Sequence, residues 1–338
     1  MTDSRVFIIA EIAQAHDGSL GILHSYIDAV AETGADAVKF QMHIAAAESS
    51  LFEPFRVAFS YEDRTRYDYW KRMEFTPDQW AGIKEHCDRV GLEFLASPFS
   101  VAAVRLLENL MVKRYKIASG EVRNHLMLQH IARTGKDIWI STGMSSYDEI
   151  DETLSFLDEC DASQERVLFQ CTTAYPTPPE QLGLNVITEM ATRFNLPVGL
   201  SDHSATIYAP LAAVTLGARY LESHVVFDKC MFGPDSPASL TLAEFRQMAE
   251  GVRFLEQALA NPVNKDDALR FDEIKRMFGK SLALSFPLAR GELLTFEILE
   301  SKKPADRGVP AESFRQVLGK RVKRSVEAGE FLKWEDLE

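Results

Sequence analysis

Along the first three quarters of the chain, short apolar runs alternate with longer stretches in which apolar residues recur at helical spacing. The runs fall at residues 6–12 (VFIIAEI), 37–41 (AVKFQ), 92–98 (LEFLASP), 114–119 (RYKIAS), 137–143 (DIWISTG), 167–173 (VLFQCTT), 197–203 (PVGLSDH) and 220–226 (YLESHVV). Most carry their apolar residues early and their polar residues late. Between them, segments such as SLGILHSYIDAVAETG place Leu20, Leu23, Tyr26, Ile27 and Val30 near the 3.6-residue period, with Gly34 as a stop. Strands alternating with helices imply parallel pairing through crossovers, so the pattern predicts an α/β fold, a (β/α)8 (TIM) barrel over residues 1–262. A doubly wound open sheet is the alternative, but no GxGxxG turn follows the first run. In a barrel the chemistry sits at the C-terminal strand ends, which here carry Glu11, Lys39, Gln41, Ser97, Ser119, Glu121, Ser141, Thr173, His203 and His224. A long insertion, residues 42–75, follows the second run. Its YEDRTRYDYWKRMEF stretch reads as an amphipathic helix over the barrel rim, with an active-site lid or a dimer contact as the sharper alternative.

The alternation stops near residue 262. NPVNKDD opens a polar linker over 263–280, and a small domain over 281–338 follows. That domain holds an internal repeat: GELLTFEILE at 291–300 and GEFLKWEDLE at 329–338 align without gaps. Two similar hairpin-like halves around a short helix (PAESFRQVLG) predict a pseudo-symmetric β domain.

Composition narrows the partners. A formal net charge of −13 disfavours nucleic acid, whose binding rests on a basic surface that neutralises phosphates. With 46% hydrophobic and 26% charged residues the chain has a globular mixture, and no apolar run approaches the roughly 20 residues of a membrane helix. The first apolar run follows an acidic start without the basic region or cleavage site of a secretory signal. Four cysteines, at 87, 160, 171 and 230, form no CxxC pair, so reduced thiols and a cytoplasmic setting are expected.

Two histidines end neighbouring strands, His203 in GLSDHS and His224 in LESHVV. Converging neutral imidazoles are good ligands for a divalent transition metal. With only Glu11 and Asp228 as nearby carboxylates, they suit a loosely held Mn²⁺ or Mg²⁺ that keeps exchangeable waters and acts as a Lewis acid on a carbonyl. Lys39 and Lys116, with Ser97, Ser119, Ser141 and Ser201, make a pocket for a compact phosphate or carboxylate. A Schiff-base lysine is an alternative that the paired histidines count against. Glu11 and Glu121 are candidate acid/base groups. Tyr175, in the turn-rich CTTAYPTPPEQLGLN, would line the substrate pocket if it faces the mouth.

EIAQAHDGS, GADAVKFQ, FLASPFS, YKIASGE, ISTGM, CTTAYPTPPEQLGLN, GLSDHS and SHVVFDKCMFGPDSPASLT, in this order, resemble the N-acetylneuraminate (sialic acid) synthase family, and the tail resembles its antifreeze-like (SAF) domain of β-clip type. The resemblance implies a transferase that condenses phosphoenolpyruvate with an N-acetylmannosamine-like aldehyde and releases phosphate. It implies metal ligation by His203 and His224, Mn²⁺ first and Mg²⁺ or Co²⁺ as alternatives, with Glu11 positioning metal-bound water. Lys39, Gln41, Ser97, Lys116, Ser119, Ser141 and Ser201 would hold phosphoenolpyruvate, with Thr173 standing where some members have asparagine or serine. Glu121, Asp228 and Tyr175 would lie near the reacting sugar. It further implies a domain-swapped homodimer whose tail caps the partner's barrel, bringing Lys303 or Arg307 to the sugar's acyl group. Two departures concern the aldehyde: AHDG replaces an NHNG-like element, so Ala15 and Asp17 stand at asparagine positions, and KKPA replaces KRPG, with Lys303 at the arginine position. A 3-deoxy-ulosonate synthase acting on a sugar phosphate is the competing enzyme, and it would need a second basic cluster that the sequence does not display. A non-catalytic sugar-binding protein would leave the strand-end residues unexplained.

Overall fold

The computed structural model describes residues 5–57, 59–160 and 164–338. The acidic start (1–4) and position 58 of the insertion lie outside them. The chain divides into two compact units between Asn261 and Pro262.

Eight parallel strands form the first unit: β1 (Phe7–Glu11), β2 (Ala37–Met42), β3 (Glu93–Pro98), β4 (Arg114–Ile117), β5 (Asp137–Ser141), β6 (Arg166–Cys171), β7 (Val198–Asp202) and β8 (Tyr220–Val226). Hydrogen-bonded neighbours run β3-β2-β1-β8-β7-β6-β5-β4. β3 and β4 lie side by side at the remaining seam, so the ring closes by contact there. Several strands stop about two residues before the apolar runs suggested, which leaves Ser119, Thr173 and His203 just beyond the strand ends.

Because side chains alternate across a strand, each strand buries two different sets. Ile8, Ala10, Val38 and Phe40 face the surrounding helices. Ile9, Ala37, Leu95, Trp139, Val167 and Phe169 pack inside the ring, with Phe7 and Tyr220 against them. The next inward position is polar on seven of the eight strands, where Glu11, Lys39, Ser97, Lys116, Ser141, Ser201 and Glu222 are all buried, and is Cys171 on β6. The apolar start and polar end of each run are therefore a floor and a mouth. Helix starts follow local capping: Thr65 with Asp68, Thr76 with Gln79 and Ser146 with Glu149 each form a capping box.

The second unit pairs strand Ser281–Leu284 with Leu299–Lys302 in antiparallel register. The two repeats begin on glycines in left-handed conformation, Gly291 (φ +88°) and Gly329 (φ +81°), and bury equivalent leucines, Leu294 and Leu332. Their aromatic positions open matching 3₁₀ turns, Phe296–Ile298 and Trp334–Asp336, where hairpin strands were expected. The 263–280 segment, read as a polar linker, contains a short helix, Asp272–Phe278, with Ile274, Met277 and Phe278 exposed.

Gly199 on β7 shows how tightly the barrel interior is filled. A Cβ there would stand 2.6 Å from the Tyr220 carbonyl oxygen and 2.8 Å from the Phe169 ring. Gly199→Ala is expected to lower the unfolding free energy of the barrel by about 1–3 kcal/mol, read from the denaturant midpoint of tryptophan fluorescence. An unchanged midpoint would contradict this close packing.

Candidate active site

Four buried charges dominate the barrel mouth. Lys39 Nζ lies 2.8 Å from Glu11 Oε2 and 3.3 Å from Glu222 Oε1, and Lys116 Nζ lies 3.1 Å from Glu222 Oε2. Glu11 pairs with Lys39 on β2 and with His224 on β8 in the parallel registers, which puts these side chains at one level. The two lysines differ. Burial lowers the Lys39 pKa, but Glu11 and Glu222 outweigh it and leave the group above its ordinary value. Among the described residues Lys116 has only Glu222 as a carboxylate partner; burial dominates, Lys39 adds repulsion, and its pKa falls. Burial alone would raise the Glu222 carboxyl, yet Lys116 and Lys39 hold it down at about 2.

Around Lys116 the hydroxyls converge. Its ammonium donates to Ser141 Oγ at 2.6 Å and Ser201 Oγ at 3.2 Å, and the two hydroxyls are 2.9 Å apart. Ser97 Oγ, buried on β3 and lining the same cavity, has no hydrogen-bond partner among the described residues. A buried donor without a partner is costly, so this hydroxyl fits a polar ligand in the cavity. Gly143 N–H donates to Ser119 Oγ at 3.1 Å. A Cβ on Gly143 would come within 2.7 Å of Thr173 Oγ1 and 2.8 Å of Ser119 Oγ, so only glycine lets this backbone reach the two hydroxyls. Lysine and hydroxyl donors at these spacings suit a small phosphorylated carboxylate.

At the ends of β7 and β8, the strands that also carry Ser201 and Glu222, stand the histidines, with ring centroids 5.3 Å apart. His203 Nδ1 lies 2.9 Å from the Thr172 carbonyl oxygen, which fixes the proton on Nδ1 and turns the Nε2 lone pair away from it. Burial, with His224 beside it, lowers the His203 pKa to about 3, so the ring is neutral. This donor chemistry fits a divalent cation held by two imidazoles. Among the described residues no group of three or more His, Cys, Asp or Glu gathers around a common point, so the fit is to an open site completed by water or substrate. The carboxylate support expected from Asp228 is missing: that side chain is exposed beyond β8, accepting from Cys230 N–H, while Glu11 is engaged by Lys39 and Gln41.

The insertion reaches the cavity directly. Phe55, Arg56, Phe59, Arg66, Tyr69 and Trp70 line it, which corrects the reading of a simple rim helix. The Arg56 guanidinium sits 4.0 Å over the Tyr175 ring and 2.8 Å from Asp235, and Tyr175 lies 4.1 Å from His203. Arg66 pairs with Glu53 at 3.0 Å. These arginines are basic groups at the mouth that the sequence reading did not identify.

A model described as the NeuB family matches residues 26–264, and one for the SAF domain matches 279–338. The chain belongs to the NeuB family. It is 33% identical to the human N-acetylneuraminate-9-phosphate synthase over 95% of this chain and 89% of that protein. It is also 33% identical to a pseudaminic acid synthase of Campylobacter jejuni, over 100% of this chain and 98% of that one. Among solved structures it resembles an N-acetylneuraminic acid synthetase of Leptospira borgpetersenii, with a TM-score of 0.70 and 28% identity over 80% of this chain and 90% of the other.

Within this NeuB-family barrel, Glu11, Lys39, Gln41, Ser97, Lys116, Ser119, Ser141, Thr173, Tyr175, Ser201, His203 and His224 line one cavity. Glu121 and Asp228 do not line it. Glu121 is half-buried in the 3₁₀ turn Ser119–Glu121, accepting from Asn124 Nδ2 at 2.7 Å, and burial raises its carboxyl pKa. Lys303 and Arg307 belong to the second unit. The sequence reading missed Glu222, although its spacing of two from His224 on one strand was a usable signal for the same face. It also missed Gln14, and Asp235 and Arg56, which only folding brings to the mouth.

Glu222 yields a test with a defined sign. Its folded-state pKa of about 2 lies below its ordinary 4.5, so the pairing stabilises the protein above the latter and is lost as pH falls through the former. Glu222→Gln should flatten the dependence of stability on pH between about 4.5 and 2. At neutral pH it should cost on the order of 3 kcal/mol, because Lys116 loses its buried carboxylate partner. Denaturant unfolding across that pH range measures both, and equal slopes for wild type and variant would contradict the pairing.

Proposed function

We propose that this chain condenses phosphoenolpyruvate with the open-chain aldehyde of an N-acetylated amino sugar, forming a nine-carbon 2-keto-3-deoxy sugar acid. The observation that carries this reading is the buried Lys39 and Lys116 pair with its serine hydroxyls, lining one cavity together with the His203 and His224 pair. In the reaction, C3 of phosphoenolpyruvate forms a carbon–carbon bond to the aldehyde carbon. Water adds at C2, the C–O bond to phosphate breaks, and inorganic phosphate leaves.

Lys116, with Ser141 and Ser201, neutralises the anion, and Ser97, Ser119 and Thr173 supply further hydroxyl contacts. Gln41 and Lys39 orient Glu11, which positions water near the reacting carbons. A divalent cation on His203 and His224, Mn²⁺ with Mg²⁺ or Co²⁺ as alternatives, supplies Lewis-acid polarisation of the aldehyde. Tyr175 lines the sugar side beside His203, whereas Glu121 and Asp228, outside the cavity lining, take no step in this scheme. Arg56 and Arg66 favour a second reading in which the aldehyde carries a phosphate. A panel of mannose-type aldehydes, N-acetylated, deoxygenated or 6-phosphorylated, scored by phosphate release, separates the two. A phosphorylated substrate would lose preference in Arg56→Ala, whereas a neutral one would not.

The working unit in this reading is a cytoplasmic homodimer in which the SAF domain of one subunit caps the other's barrel and Lys303 or Arg307 meets the acyl group. A water-filled mouth would weaken the electrostatics that the chemistry needs. Mixing a His203→Ala full-length chain with a chain truncated near residue 280 tests this. Recovered turnover supports capping in trans, and none, with subunit exchange verified, opposes it.

Chelator should abolish turnover and Mn²⁺ should restore it. His203→Ala or His224→Ala should weaken Mn²⁺ binding measured by calorimetry and cost on the order of 10³-fold in kcat. Full turnover in excess chelator would sink the metal assignment.

A further inference from the structure

Behind the cavity wall, the hydrogen bonds of the mouth continue to two residues that the proposed mechanism does not use, His43 and Glu48. His43 is 4% exposed, and its ring is clamped between Trp70 (centroids 3.8 Å apart, 16° between planes) and Phe99 (4.4 Å, 17°). Its Nδ1 lies 2.5 Å from Glu48 Oε1, and its Nε2 lies 2.9 Å from Gln14 Nε2. Gln14 Nε2 also donates to Gln41 Oε1 at 2.6 Å, and Gln41 Nε2 donates to Glu11 Oε1 at 2.9 Å.

We propose that His43 and Glu48 are a positioning pair that sets the direction of the hydrogen bonds through Gln14 and Gln41 and so holds Glu11 in its working orientation. The proposal rests on the synthase reading of the site. Its logic is one of donors and acceptors. The chain of bonds ends on a carboxylate at each side, Glu11 and Glu48, and both ends need a donor. Gln41 must therefore turn its NH₂ to Glu11 and its oxygen to Gln14. The Gln14 NH₂ then spends one N–H on Gln41 and the other on His43. His43 Nε2 must accept, which leaves the ring proton on Nδ1 for Glu48. Only this tautomer satisfies every member at these distances. The longer contact, 3.3 Å from His43 Nε2 to Gln41 Oε1, would suit an imidazolium, but that form would aim Nε2–H at the NH₂ of Gln14.

The stacking rings fix the imidazole plane, and Glu48 fixes its proton; each is needed for Nε2 to hold Gln14. Without His43, Gln14 and Gln41 are free to reverse their amides. A reversed Gln41 would present an oxygen to the Glu11 carboxylate, and the two acceptors would repel. The lysine and serine contacts to phosphoenolpyruvate lie elsewhere on the wall and are left in place. The insertion thus gains a second role: the helix Arg66–Met73 carries the Trp70 ring that seats His43.

The test uses full-length enzyme with the aldehyde that the panel identifies. His43→Leu should lower kcat by about 10- to 100-fold, the range for partners that orient a site ligand, with KM for phosphoenolpyruvate within about 3-fold of wild type. His43→Gln, whose amide oxygen can accept from Gln14, should recover most of the loss. Gln14→Leu should match His43→Leu, and the double variant should fall no further. An unchanged kcat, effects that multiply, or a His43→Gln no better than His43→Leu would overturn the proposal. Should His43→Leu not fold, Glu48→Ala carries the same expectation. Failure of the synthase reading is distinguishable: wild type would then neither bind phosphoenolpyruvate in calorimetry nor release phosphate. Independently of turnover, the side-chain NH₂ signals of Gln14 and Gln41 should be protected from hydrogen exchange in wild type and not in His43→Leu. Equal protection in both would overturn the relay.

Discussion

The structure depends on balancing four charges in the polar layer of a closed barrel. Glu11, Lys39, Lys116 and Glu222 come from β1, β2, β4 and β8, and each is nearly inaccessible to water. An isolated charge so placed would lose its hydration without return, so none of the four is tolerable alone. Glu222 touches both lysines, and Lys116 reaches from β4 to hydroxyls on β5 and β7. The same contacts that hold the strand ends together thus place two ammonium groups, balanced by two carboxylates, at the base of the cavity. Beneath it, Trp139, Phe169 and Tyr220 pack as an aromatic plug that excludes water from below.

The two lysines are set to different tasks by their surroundings. Two carboxylates keep Lys39 cationic against burial, whereas Lys116 shares one carboxylate with a neighbouring cation and is the easier of the two to repartner. An arriving phosphate or carboxylate would find Lys116 and its two serines already converged, so little reorganisation is needed on binding. In the same cavity, the neutral His203 offers a lone pair rather than a proton, because burial and His224 oppose its charging.

The strands supply the chemistry and the loops supply its boundaries. The insertion after β2 brings Arg56, Arg66 and Trp70 to the cavity, and the loop after β8 brings Asp235. Relatives of equal identity carry names that point to different sugars. Arg56, stacked on Tyr175 and paired with Asp235, stands where such a difference would be felt.

The barrel was legible in the sequence because its strands are buried on both faces: runs such as VFIIAEI must be apolar outward and turn polar inward only at the mouth. Strand-end residues like Lys39, Ser141 and His224 were legible for the same reason, since the period of two fixes their face once the strand is placed. The repeated glycines of the tail marked its halves, although its aromatic positions proved to be 3₁₀ turns. What the sequence by itself determined was most of the strand-end groups that one barrel mouth gathers. What tertiary structure alone decided was how those groups pair: that Glu222 bridges two lysines, that Asp228 stands outside, that Arg56 arrives from a distant insertion, and that His43 closes a relay to Glu11. Local pattern fixes which face a side chain occupies, but pairing depends on distances between residues far apart in the chain, and only the closed fold sets those.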